Sequence, residues 1–122
     1  MTPTILVAAS SQSLRRTLHA LLGEARYAVL EAEDGESALG QLIGTPGVSL
    51  LLTELGLRTV DGLQLTRRVR ALPGYQFLPI LVVSADASPA HEAEGLAAGV
   101  TGWFSQPVQA AQVLEVVGRL LA

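Results

Sequence analysis

Short, continuously apolar runs alternate along this chain with segments whose apolar residues recur at helical spacing, and few folds accommodate that alternation. The apolar runs are Thr4 to Ala9, Tyr27 to Glu31, Val48 to Thr53, Leu78 to Val83 and Thr101 to Phe104. A strand that is apolar at consecutive positions is covered on both faces. Between them lie amphipathic stretches. Ser10, Ser11 and Ser13 offer N-caps to a helix that buries Leu14, Leu18, Leu21 and Leu22, turns Arg15, Arg16 and His19 outward, and ends near Gly23 and Glu24. Glu36 to Ile43 is a second helix, stopped by Gly44-Thr45-Pro46-Gly47. Asp61-Gly62 starts a third, with Leu65, Val69 and Leu72 on one face, and Pro73-Gly74 breaks it. Pro89 to Ala98 is a fourth, with proline in its first turn and Gly99 as its cap. Gln109 to Leu121 is the fifth, with Ala110, Val113, Leu114, Val117 and Leu121 facing in. Buried strands alternating with amphipathic helices predict an α/β fold: one domain over residues 1–122, a parallel sheet with helices on both faces.

The 122 residues suffice for one domain with a real core. Only 16% are charged, against about a quarter in an average domain, so an apolar contact patch is expected. The net charge of −3 argues against nucleic acid as a partner, which requires a basic footprint. Arg15, Arg16, Arg67, Arg68 and Arg70 are expected on solvated helix faces. Cysteine is absent, which excludes disulfides, thiolate metal sites and a cysteine nucleophile. The first residues lack a basic leader, and no apolar stretch approaches the roughly 20 residues that cross a bilayer. A cytoplasmic domain without a membrane partner is the expectation.

In an open parallel sheet, ligands bind beyond the carboxyl ends of the strands. The residues there are Ala9 and Ser10, Glu31, Glu54 with Gly56, Ser84, and Gln106 with Pro107. An acid, two hydroxyls and an amide converge. His19 and His91 belong to helices, so a Ser-His-acid triad is not expected. "GTPG" at 44–47 lacks the strand and lysine of a phosphate loop and reads as a turn.

The ordered blocks "ILVAASSQSLRRTLHALL", "EAEDGESAL", "LLLTELGLRTVDGLQL", "LPILVVSADA" and "AGVTGWFSQPV" resemble those of the CheY-like response-regulator receiver domain across essentially the whole chain. The resemblance implies a flavodoxin-like three-layer fold with strand order 2-1-3-4-5. It also implies a site, and here the residues depart from the family. Receivers carry paired acids after the first strand, which hold Mg²⁺; this chain has Ala9 and Ser10. The phosphoacceptor aspartate corresponds to Glu54, and the lysine before a proline to Gln106, with Pro107 kept and expected to follow a cis bond. Ser84 keeps the switch hydroxyl and Trp103 stands at the switch aromatic. Arg58 replaces a turn proline. Glu31, Glu33 and Asp34 match a receiver turn and are expected to cap the next helix.

These substitutions have physical consequences. Mg²⁺ takes about six oxygens, usually including one or two carboxylates. Ala9 offers no side-chain ligand and Ser10 a weak one, leaving only Glu54 and the Gly56 carbonyl, so no metal cofactor is expected. Glu54 carries one methylene more than aspartate, which moves its carboxylate about 1.5 Å outward. Misplacing an attacking atom by that much can cost about 100-fold in rate. Gln106 donates hydrogen bonds but carries no charge. The expectation is a non-catalytic pseudo-receiver in which Glu54 is either a built-in partial mimic of a phosphorylated acid or a solvated strand-end residue with no signalling role, flanked by Ser10, Ser84 and Gln106 as neutral hydrogen-bond donors. Two rivals are a phosphorylatable receiver and a small-ligand sensor using the emptied pocket. Ser84 is expected to act as switch partner or as cap of the following helix, and Trp103 as a contact residue or a ring packed on the last helix. Pro89–Ala98, Trp103 and Gln109–Leu121, with Val116 off the buried stripe, form the face expected to meet a protein partner or a second copy.

Overall fold

The computed structural model describes residues 2–86 and 88–122. Strands and helices alternate: β1 (Thr4–Ala8), α1 (Gln12–Glu24), β2 (Ala28–Ala32), α2 (Gly35–Gly44), β3 (Val48–Glu54), α3 (Gly62–Arg70), β4 (Ile80–Ser84), α4 (Pro89–Ala98), β5 (Gly102–Ser105) and α5 (Ala110–Leu121). The sheet has the order β2-β1-β3-β4-β5, and all four pairings are parallel. This is the expected flavodoxin-like architecture.

Because side chains alternate across a strand, each strand feeds two cores. Ile5, Val7, Leu50, Leu52, Leu81 and Val83 face the layer made by α1 and α5, where Leu14, Leu18, Leu22, Val113 and Val117 meet them. Leu6, Ala8, Leu51 and Ile80 face Ala38 and Leu42 of α2 and Leu65 and Val69 of α3. Val82 packs with Leu63, Ala98 and Val100 beneath α4. The central residues of β1, β3 and β4 are fully buried, which is why their sequence is apolar at consecutive positions.

The helix starts follow local chemistry. Ser11 caps α1, Asp34 caps α2, and Asp61 closes a capping box with Gln64 on α3. Ser88 caps α4 ahead of Pro89, and Gly99 ends that helix at φ 100. Some expectations are corrected. Ser84 does not cap α4, because Ser88, directly before the first helical residue, is placed to do so. Ala110 is exposed, and Val116 packs against the core between α1 and α5 instead of pointing off it. Leu72 lies in the turn past α3 yet still joins the core of that face. Among the described residues no helix is long and apolar enough to cross a membrane.

Candidate functional site

The strand order reverses around β1, so β1 and β3 are neighbours and their carboxyl ends open onto one crevice. The ladder runs past the end of β1, where the buried Ala9 donates its N–H to the Ala32 carbonyl at 3.0 Å. Ser10 then turns out of the sheet. Glu54 is the last residue of β3, one position later than the sequence suggested, and is half-buried. Its Oε1 accepts the Ser10 N–H at 2.9 Å and the Ser11 N–H at 3.3 Å. The acid at the end of a buried strand is thus satisfied by the backbone leading into α1.

Ser10 makes two further bonds. Its hydroxyl donates to the Glu33 carbonyl at 2.9 Å and accepts the Arg58 N–H at 2.9 Å. Arg15 approaches from α1: its Nη1 donates to the Ala9 carbonyl at 2.7 Å, and its Nε pairs with Glu31 Oε1 at 3.0 Å. His19 Nδ1 lies against Glu31 Oε2. Burial alone would raise the Glu31 carboxyl; hydrogen bonds from His19 and Arg15 outweigh it and hold the group below its ordinary value of 4.5.

The other side of the site is arranged differently. Ser84 is buried; its hydroxyl donates to the Asp86 carbonyl at 2.7 Å and accepts the Asp86 N–H at 3.0 Å, so it is engaged within its own loop. Gln106 is exposed, and its backbone N–H donates to the Ser84 carbonyl at 2.8 Å. The Gln106–Pro107 bond is cis, as expected. Trp103 is half-buried against Leu63, Val82, Ala98 and Val100. A Cβ on Gly95 would lie 2.7 Å from its ring, so the ring packs on α4 and not on the last helix. Its Nε1 is buried without a partner among the described residues.

The structure therefore brings Ala9, Ser10 and Glu54 together and leaves Ser84 and Gln106 out of the Glu54 hydrogen bonds. The donors to Glu54 are two amides, where three side chains were expected. Of the three acids in the β2–α2 region only Asp34 caps α2, through the Ser37 N–H at 2.7 Å, while Glu31 pairs with Arg15 and His19. Two arginines expected on solvated faces are structural. Arg15 is one. Arg70 is the other: it donates to the Gly99 carbonyl from Nη2 at 2.7 Å and to the Leu78 carbonyl from Nη1 at 2.6 Å. Burial lowers the pKa of its guanidinium below the ordinary value. Sequence reasoning missed Ser11, Arg15 and Arg58 as site residues. For Arg15 there was a signal: a cation just past the first turn opposes the helix dipole and calls for an acidic partner.

A family model described as response regulator receiver domain matches residues 5–118. The chain belongs to the response regulator receiver domain family. A chemotaxis protein CheY homolog of Campylobacter jejuni is 32% identical over 104 residues, which are 84% of this chain and 80% of that one. A gliding motility regulatory protein of Myxococcus xanthus is 30% identical over 117 residues, 95% of this receiver but only 15% of that protein's length. Among solved structures, chemotaxis protein CheY4 of Vibrio cholerae superposes with a TM-score of 0.93 at 28% identity, covering 98% of this receiver and 99% of that chain. This is a receiver domain of two-component signalling, a class whose members work through protein partners.

Proposed function

We infer that this receiver signals without a phosphoryl group on residue 54, as a non-catalytic pseudo-receiver acting through protein contact. The observation that carries the reading is the engagement of Glu54: one oxygen of its carboxylate, Oε1, already accepts two amide N–H groups and ties the side chain to the start of α1. The surroundings support it. A divalent ion prefers about six oxygens. Here the Ala9 carbonyl is taken by the Arg15 guanidinium, the Ser10 hydroxyl both donates and accepts, and the neighbouring cation would repel a metal. That donor set does not fit Mg²⁺. Phosphoryl transfer depends on such charge neutralisation, and Gln106 brings none.

The contact face would be α4, β5 and α5. Leu96 on α4 is 75% exposed, and a hollow of about 240 Å³ between Leu96, Val100 and Trp103 offers a place for an apolar side chain. Incubation with acetyl phosphate and magnesium, followed by intact mass, tests the reading. An unchanged mass is expected, and a stable phosphoryl adduct lost in Glu54→Gln would overturn it.

A further inference from the structure

The loops at the carboxyl end of the sheet are bonded to one another, and the bonds form a chain. Its first link is Glu54 Oε1 to the Ser10 and Ser11 amides. Its second is the Ser10 hydroxyl, which joins the Glu33 carbonyl of the β2–α2 loop to the Arg58 N–H of the β3–α3 loop. Its third runs from that loop to α2: the Arg58 carbonyl accepts the Gly35 N–H at 2.9 Å, and the Thr59 hydroxyl accepts the Glu36 N–H at 3.1 Å. A helix leaves its first N–H groups without internal partners. The first two of α2 are therefore satisfied by another loop, whose position depends on Ser10.

Two features make this joint abrupt in its response. A Cβ on Gly35 would lie 2.2 Å from the Val60 carbonyl oxygen, so the two backbones touch with no slack. Thr59 sits at φ 65, a left-handed conformation that is unfavourable for a β-branched residue and persists only while its surroundings hold it. A strained residue held by hydrogen bonds relaxes when those bonds open.

We propose that Glu54, Ser10, Arg58–Thr59 and the amino end of α2 form a latch, through which the state of residue 54 is transmitted to α2. Ser10 is the positioning residue that carries the coupling. Releasing Glu54 Oε1 frees Ser10; Ser10 then loses Glu33 and Arg58; Thr59 leaves its left-handed conformation and the first turn of α2 opens. The latch does not depend on whether residue 54 accepts a phosphoryl group, so it stands or falls separately from the proposed function.

Amide hydrogen exchange on the whole chain, residue by residue, tests it. In Glu54→Ala, exchange should quicken at Ser10 and Ser11 and also at Arg58, Gly35 and Glu36, by about 5- to 150-fold, the usual span of a coupling between sites. Amides in the middle of β1, β3 and β4 should not change. Ser10→Ala should open Arg58, Gly35 and Glu36 with Glu54 intact, while Ser10→Thr, which keeps the hydroxyl, should restore protection. The effects of Glu54→Ala and Ser10→Ala at Gly35 should not add, since both cut the same chain. Quickening confined to Ser10 and Ser11 in Glu54→Ala, or additive effects in the double variant, would overturn the latch. Glu54→Gln guards against misfolding of the alanine variants. It keeps an oxygen acceptor for the Ser10 and Ser11 amides, so Gly35 should exchange near the parent's rate, and quickening there as large as in Glu54→Ala would equally overturn the proposal.

Discussion

The two ends of the sheet are built on opposite plans. At the carboxyl end, loops from β1, β2 and β3 satisfy each other's backbone groups, and the contacts are polar and long-range in sequence. At the amino end a hollow of about 640 Å³ lies among Leu42, Ile43, Pro46, Tyr75, Phe77 and Leu78. There the turns are made locally by glycines with left-handed backbone, Gly47 at φ 90 and Gly74 at φ 85, and Phe77 is 94% exposed. Both ends cap the same apolar sheet. A polar end ties distant loops into one object, because each group it leaves unpaired carries a cost. At the amino end glycines shape each turn, and single long side chains join the turns: Tyr75 donates its hydroxyl to the Thr45 carbonyl, and Arg70 bridges Leu78 and Gly99.

Gly35→Ala attacks this contrast hardest. The new Cβ would meet the Val60 carbonyl oxygen at 2.2 Å, and overpacking of this kind should lower stability by about 3 kcal/mol in denaturant unfolding. Gly47→Ala at the other end meets nothing within 4 Å and should lose only about 1 kcal/mol, from its backbone conformation. If the two variants lost equal stability, the contrast between the ends would be wrong. Next in size, Glu54→Ala removes the acceptor for two amides leading into α1 and should cost about 1 kcal/mol, the usual loss for a helix cap.

The Glu31 pair adds a pH signature. Its folded carboxyl lies below the unfolded 4.5, so its contribution is present above about that pH and disappears as the pH falls through the folded value. The melting temperatures of the parent and Glu31→Gln should differ at neutral pH and converge under acid; a gap that persists in acid would assign the effect to packing. The smallest effect is expected at the apolar end. Phe77→Ser should stay within about 0.5 kcal/mol of the parent, since that ring is already in water.

What the sequence revealed follows from the range of each interaction. Helix α4 was read to the residue because Pro89 and Gly99 act on their own backbone. Asp61 was legible for the same reason. The strands were legible because continuous apolar runs have one physical meaning, and their spatial order came with the family resemblance. The partners of Glu54 were not legible. The Ser10 amide is 44 residues away in sequence, and any residue but proline supplies a backbone N–H. Ser84 misled because two serines precede α4, and only Ser88 stands directly before it. Arg70 misled because its helical position is shared with residues that do face water, while its acceptors lie in two other turns.

That arginine has mechanical weight. By gripping the Gly99 carbonyl from α3 while also holding Leu78, it pins the far end of α4 to the body of the domain. Whatever pushes on α4 must then swing it like a door about a hinge at Gly99. The travel would be widest at Pro89, beside the loop where Ser84 and Asp86 grip each other, and smallest where Ala98 meets the core.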